Sequence, residues 1–470
     1  MKARNTLLLI AAMLVVLPAW LASCGEDRWA GYAEQTQTDR WIDDTMRVWY
    51  YWREDIPGTN DLNYFNDPIT FFYSLLSSDD GKNGTPYSTI DTLEAVTRSI
   101  PYTDYSYGFQ FTTNQVEGND TALYAHVLYV AQGSPAADIG LERGDWIMQM
   151  DGTPITQDNY ARLYGSSAMT LTVGYYDPAQ DTILAYAETR QMASARVVDD
   201  NPVHYRNIYE RNGKRIGYLV YNHFSSGSTE GGGTEYDDDL REAFQYFSTG
   251  GVNEFVLDLR YNNGGQLSCA QLLSTMLAPS SALGQTLGYV EYNSRFNPSM
   301  VSLNFDTSII GNGANLNLST LYVLTSAQTA SASEMLINCL KPYMNVILIG
   351  GTTEGKNVGS MSFTNEELRV RMQPIVCKLY NALTESDYEN GFTADISMDE
   401  NSDPARFLPF GNEDEQLLYT ALSVIDGTWQ DSNTTEEVSS LHIKTLRNSV
   451  ARQASHAVHI DKQPTSFKLY

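Results

Sequence analysis

Two short stretches contain residues whose types and spacing could support chemistry. One is Gly350-Gly351-Thr352-Thr353-Glu354-Gly355-Lys356-Asn357, and the other is "TSAQTASASEML", with Ser331 lying 25 residues before Lys356. Gly350 to Lys356 fits the pattern G-x-x-x-x-G-K of a phosphate loop. That loop needs a Ser or Thr after the lysine to ligate magnesium, and a helix whose N-terminus faces the phosphates. Here Asn357 follows, and "VGSMSFTN" alternates like a strand, so both conditions fail. The other chemistry open to Lys356 is proton transfer. A lysine whose pKa is lowered by burial is neutral near pH 7 and can activate a serine. Ser331-Ala332-Ser333-Glu334 reads as a capping box at a helix start, with serine at the N-cap and glutamate three residues on. The same position suits a nucleophile, because free N–H groups and the positive helix end lie where an oxyanion would form. A third stretch, "VLDLRYNNGGQL", ends a strand at Asp258-Leu259-Arg260 and turns through Asn262-Asn263-Gly264-Gly265. Two glycines there allow positive φ and a close approach of backbone N–H groups to a ligand.

The elements that must position these residues follow from the apolar pattern after about residue 205. "RIGYLVYNHF", "EFVLDLR", "LYVLT" and "VILIGG" read as strands, and "YDDDLREAFQYFSTGG", "QLSCAQLLSTML" and "ASEMLINCLKPY" as helices between them. Strands alternating with helices of this length predict an α/β core with a largely parallel sheet. Ser331, at a helix start, and Lys356, in the loop after the next strand, then converge at one end of neighbouring strands. His223, closing the strand "YNHF", is the candidate for a rival Ser-His-Asp arrangement. No G-x-S-x-G surrounds Ser331, and His126, His442, His456 and His459 lie in other segments.

Ahead of this core, residues 86–190 read as short alternating strands with turns. "SPAADIGLERGDWIMQMDGTPI" resembles the PDZ domains of bacterial proteases in the order of its Ser-Pro-Ala, Gly-Leu, Gly-Asp and Asp-Gly steps. By that resemblance, Ser106-Tyr107-Gly108-Phe109 is the loop whose N–H groups take a peptide's C-terminal carboxylate. Tyr107, Gly108 and Phe109 are then the peptide-binding residues, with the peptide added as an extra strand.

"DLRYNNGG", "TASASE" and a Gly-Lys pair 25 residues beyond the serine, behind a PDZ-like module, resemble the C-terminal processing (tail-specific) serine peptidases over roughly residues 86–425. The resemblance implies a crotonase-like ββα peptidase core over 191–430. It makes Ser331 the nucleophile and Lys356 the general base, and places the oxyanion hole at the N–H groups of Ala332 and of Gly264 or Gly265. Asp258 and Arg260 match a structural strand end. Many members carry a glutamine four residues after the lysine that orients the dyad; here Ser360 stands there. Either Ser360 or another side chain does that work, or the enzyme is weak. Glu334 matches an acidic residue near the nucleophile and either orients the dyad or only caps the helix. No cofactor and no metal are expected.

The remaining segments set context. Lys2 and Arg4, the apolar run "TLLLIAAMLVVLPAWLA" and the ending Leu21-Ala22-Ser23-Cys24 read as a signal peptide over 1–23. This ending resembles the lipobox of bacterial lipoproteins, which implies a lipid on Cys24 and a protein tethered in the cell envelope, facing the periplasm or the exterior. Residues 24–85 read as a tether followed by an N-terminal helical segment, with Trp41, Met46, Trp49 and Trp52 near helical spacing. Residues 431–470 read as a polar, weakly ordered tail holding three of the six histidines. Cys269, Cys339 and Cys377 read as buried small hydrophobes. A net charge of −27 argues against nucleic acid as a partner. Protein or peptide substrates with apolar C-termini are expected instead. A non-catalytic peptide-binding lipoprotein on a degenerate peptidase fold is the reading from another class.

Overall fold

The strands Lys214–Tyr221, Glu254–Asp258, Thr320–Thr325 and Asn345–Gly350 run side by side as parallel neighbours. A sheet covered on both faces needs apolar side chains on both. Leu257, Val323 and Leu348 face one core, while Val256, Leu324 and Ile349 face another. Val203–Arg211 joins one edge antiparallel through a tight turn at Asn212-Gly213, where both residues have positive φ as a twisted hairpin requires. Ile396–Ser397 closes the other edge. Helices Glu235–Thr249, Leu267–Leu277 and Ala332–Leu340 fill the first core, and Gln416–Asp426 covers the opposite face. A five-stranded sheet holding Thr286–Tyr292, Ile375–Asn381 and Val358–Ser360 contributes Leu287, Val290, Val376 and Leu379 to the first core, beside the Ala332–Leu340 helix.

The computed structural model describes residues 31–92, 105–116, 122–228, 233–430, 441, 443–450, 458–461 and 468–469. The signal peptide and the Cys24 lipidation expected from the sequence lie outside the described residues. Among the described residues no helix is long and apolar enough to cross a membrane. The α/β architecture with an N-terminal helix is the one the sequence predicts.

An eight-stranded antiparallel sheet precedes the α/β core. Phe109–Val116, Leu123–Val130, Trp146–Met150, Met169–Asp177 and Thr182–Ala185 follow one another across it. Phe111, Val127, Ile147, Leu171 and Val173 form its own core.

One expectation is refined and another needs correction. The N-terminal helix, Ala33–Trp49, packs on its neighbours with Trp41 and Trp49 at the margin of the contact rather than at its most buried positions. Its buried residues are Thr36, Asp39, Ile42, Asp43 and Met46, while Trp41 and Trp49 are half-buried and Trp52 lies beyond the helix end. The tryptophans cover the seams between this helix and neighbouring elements, where Trp49 packs at a tilt against Phe296 and Phe363. Secondly, the segment read as a weakly ordered tail supplies strands to three sheets. Ile443–Asn448 pairs with Phe109–Val116, Val458–His459 with Val358–Ser360, and Lys468–Leu469 with Phe296–Asn297. Its polar composition hid this, because an edge strand with one solvated face needs few apolar residues.

Candidate active site

Ser331 begins the helix Ala332–Leu340, directly after the loop that leaves strand Thr320–Thr325. Thr329 Oγ1 donates to the Leu259 carbonyl (2.8 Å) and Ser333 Oγ to the Asn262 carbonyl (3.0 Å), pinning this turn to the loop that follows Asp258. Ser331 has φ 63° and ψ −112°. A non-glycine residue in that region costs about 1–3 kcal/mol and persists only where its surroundings impose it. Such a strained strand-to-helix turn is how a hydrolase presents a nucleophilic serine. The side chain is buried, and Ser331 Oγ meets no hydrogen-bond partner among the described residues. An unsatisfied buried hydroxyl costs stability, and it is a hydroxyl available to a reaction.

Lys356 follows strand Asn345–Gly350 and enters strand Val358–Ser360 rather than a helix, so no phosphate-loop geometry forms. The turn between them is tight: a Cβ on Gly355, at φ 99°, would lie 2.4 Å from the Glu389 carbonyl oxygen. Lys356 is only 2 % exposed. Burial pushes its ammonium down to about 8, and the charges of Asp80, Glu354 and Glu334 limit the fall. Lys356 Nζ lies 4.7 Å from the ring centroid of Tyr87, and Lys82 donates to the Glu354 carbonyl, so residues 80–87 form a cover over this loop.

Glu334 joins the two loops. Its Oε2 accepts the backbone N–H of Ser331 (2.9 Å) and of Lys356 (2.8 Å). Its Oε1 accepts from Thr353 Oγ1 (2.6 Å) and the Gly355 N–H (2.6 Å). Burial raises the pKa of this carboxyl, and the four donors oppose that rise. The residue therefore does more than cap a helix, since three of its four donors belong to the lysine loop.

The glycine pair presses on the same turn. A Cβ on Gly264, at φ 102°, would lie 2.7 Å from Ser331 Cβ and 2.9 Å from the Ala332 nitrogen. The N–H of Gly264 is already taken by Asn262 Oδ1 (2.8 Å). The N–H groups of Ala332 and Gly265 meet no acceptor among the described residues. Backbone donors left without an acceptor near a buried serine hydroxyl can hold a developing oxyanion. Of the two glycines left open by the sequence, Gly265 is the one whose N–H is not already taken among the described residues.

Other expected residues stand apart. Ser360 is buried on the strand after Lys356, and no hydrogen bond joins its side chain to Ser331 or Lys356 among the described residues. His223 Nε2 pairs with the Asp200 carbonyl at 2.8 Å rather than with Ser331. Tyr107, Gly108 and Phe109 sit at the start of strand Phe109–Val116 in the eight-stranded sheet. Gly108 has φ 76°, and its N–H is used by Ser106 Oγ (2.9 Å). Cys269, Cys339 and Cys377 are buried and free of disulfides.

Sequence reasoning missed two features. Asn262 braces the glycine loop, with its Nδ2 on the Tyr221 carbonyl (2.7 Å), and the "NNGG" turn offered a signal for it. The second is a buried ion cluster. Arg260, at the strand end, bonds Asp258, Glu415 and Glu400, and Arg143, in the turn before strand Trp146–Met150, joins through Glu400, Glu415 and the Tyr261 hydroxyl. Nothing local to Glu400 or Glu415 in the sequence signals this meeting.

Comparison with known proteins fits this geometry. The model of peptidase family S41 matches residues 215–398, and that of the peptidase S41 N-terminal domain matches residues 37–107. This chain belongs to peptidase family S41. The S41 match runs from the parallel sheet through Ser331 and Lys356, and the N-terminal match includes the cover formed by residues 80–87. A crystal structure described as an S41 protease from Bacteroides fragilis NCTC 9343 is 43% identical, with TM-score 0.76, covering 83% of this chain and 98% of that one. A carboxyl-terminal-processing protease of Picosynechococcus sp. is 26% identical over 251 residues, 52% of this chain and 53% of the relative. One from Synechocystis sp. is 24% identical over 248 residues, 52% of each. The chain thus spans about half the length of these curated S41 relatives.

Proposed function

We propose that the protein is a serine endopeptidase that hydrolyses peptide bonds through a Ser331–Lys356 dyad. The observation that carries this reading is the shared Glu334 oxygen, which ties a strained serine to a buried lysine with a pKa pushed down to about 8. Neutral Lys356 accepts the proton of Ser331 Oγ as that oxygen attacks the scissile carbonyl. The oxyanion is held by the N–H groups of Ala332 and Gly265. As the carbon–nitrogen bond breaks, Lys356 returns the proton to the leaving amine, and Ser331 carries the acyl group. Lys356 then takes a proton from water, whose oxygen attacks the acyl carbon, and returns it to Ser331 Oγ.

Substrates, in this reading, are envelope proteins or peptides with apolar C-termini, captured by strand addition beside Tyr107-Gly108-Phe109 on a PDZ-like sheet. A lipid on Cys24 would hold the enzyme at the bacterial membrane. The test uses residues 25–470 and an unfolded reporter with an apolar C-terminus, compared between wild type and Lys356→Ala. Cleavage that is lost in the variant supports the dyad. No wild-type cleavage under any condition would favour a peptide-binding protein instead.

A further inference from the structure

The strand Phe109–Val116 would be an exposed edge of its sheet but for Ile443–Asn448, which pairs with it antiparallel, Ile443 opposite Val116 and Asn448 opposite Thr112. The pairing extends through Ser449, whose Oγ accepts the Phe111 N–H (2.8 Å). The segment therefore runs toward the Tyr107-Gly108-Phe109 turn, the direction a bound peptide must take to bring its C-terminal end there. Leu446 packs on the apolar core of that sheet, as an anchoring side chain of a ligand would.

The same tail then meets the candidate active site. Asn263 Nδ2 donates to the Val450 carbonyl (2.7 Å), next to Gly264 and Gly265. His459 N–H donates to the Gly265 carbonyl (2.9 Å), and Ile460 N–H to the Ser360 carbonyl (2.9 Å). Asp461 accepts from the Ser268 N–H (3.2 Å) and from Ser268 Oγ. Ile460 is 3 % exposed and belongs to the peptidase core. One strand of the tail thus lies between the glycine loop and the strand that follows Lys356.

We infer that residues 443–450 and 458–461 occupy, in cis, the track along which an extended peptide binds, from the PDZ-like edge to the glycine loop, and so hold the enzyme in a self-blocked state. This rests on the peptidase reading above. Main-chain pairing of Ile443–Asn448 and of His459 and Ile460, with Leu446 and Ile460 as apolar anchors, supplies the two elements by which strand addition recognises a peptide, and side-chain hydrogen bonds of Ser449, Asn263 and Asp461 add to them. A tethered occupant acts at a high effective concentration, so an added peptide must displace it before binding. The full burial of Ser331 agrees with a blocked site.

The experiment compares full-length wild type with Ile460→Asp and Leu446→Asp. Two readouts are used: cleavage of an unstructured fluorogenic peptide, and, in a Ser331→Ala background, anisotropy of a fluorescein-labelled peptide copying residues 441–461. Both variants should lower KM and tighten labelled-peptide binding by about tenfold or more, with kcat little changed. If wild type cleaves but neither variant gains affinity or lowers KM, the self-occupied track is wrong and the peptidase reading stands. If no form cleaves but the variants bind the peptide more tightly, the track stands and the peptidase reading fails. Should both variants melt early, hydrogen exchange of the wild type decides. Saturating peptide must then speed exchange across 443–449, and unchanged exchange would overturn the inference.

Discussion

The backbone N–H groups of Ser331 and Lys356 donate to the same oxygen, Glu334 Oε2, at 2.9 and 2.8 Å. Two loops from adjacent parallel strands are thereby fixed to one acceptor, so their relative position does not depend on either loop alone. The carboxylate also contributes a negative charge that favours the protonated form of Lys356. Geometry and electrostatics at this site thus share one residue.

Glu334→Gln should separate those two contributions. Its amide NH2 would face N–H donors, and each buried donor left without an acceptor costs about 1–3 kcal/mol. Losing the charge removes an influence that raises the Lys356 pKa, so the midpoint of the pH–activity profile should move below that of wild type. The expected outcome is a kcat/KM reduced by about 10–100-fold, a lower melting temperature and an acid-shifted midpoint. A stability loss with an unmoved midpoint would reduce Glu334 to a helix cap.

The pH profile of wild type follows from the buried lysine. In the proposed dyad only neutral Lys356 can accept the serine proton, and its ammonium is pushed down to about 8. Values of kcat/KM should therefore rise with pH through about 8 and level off above it, since this parameter reports the free enzyme. Lys356→Ala should lose about 10²–10⁴-fold and show no inflection there. Rates measured between pH 6 and 10 check both. His223→Ala should leave the profile unchanged, because that ring pairs with the Asp200 carbonyl.

The same lysine is costly to the fold. The fall from an ordinary 10.5 to about 8 corresponds to about 3 kcal/mol against the folded state wherever the group is charged in both states. Between those two pH values the unfolded chain holds a proton that the folded chain has released. Wild-type stability from this group therefore rises with pH across that window. Lys356→Met should stabilise the protein at pH 7 by up to that amount and show little gain above pH 10.5. Thermal melts of both proteins at the two pH values test this, and a destabilised variant at pH 7 would contradict it.

Much of the site was legible because its parts are local. A capping box marks the helix start at Ser331, an apolar strand leads to Lys356, and a glycine pair marks the turn after Asp258. Each is a short-range pattern set by backbone geometry. What escaped is long-range. Tyr87 lies over Lys356 from a segment more than 250 residues earlier, and Arg143 meets Glu415, 272 residues further along the chain. The tail strands escaped for a different reason: their pairing is main-chain, and polar side chains such as Thr445 and Arg447 carry no signal of it. The tryptophan spacing near the N-terminus marked a packed helix but not how deep each ring lies, because large aromatic rings cover seams as readily as they fill cores.

The glycine loop offers a test of the serine turn that leaves the lysine alone. Gly264 uses its N–H on Asn262 Oδ1, while its Cα lies against the Ser331 turn. A Cβ at this position, with φ 102°, would press on Ser331 Cβ at 2.7 Å and on the Ala332 nitrogen at 2.9 Å. Gly264→Ala should therefore displace the Ser331 side chain and the Ala332 N–H together while leaving Lys356 in place. Loss of one such donor costs about 10²–10³-fold in kcat. The expected variant has kcat reduced on that scale, KM within a few-fold of wild type and the same pH midpoint near 8. Steady-state kinetics across pH separates this from the lysine variants, which lose the midpoint itself. A Gly264→Ala enzyme with unchanged kcat would show that this position does not set the placement of Ser331 and the Ala332 N–H.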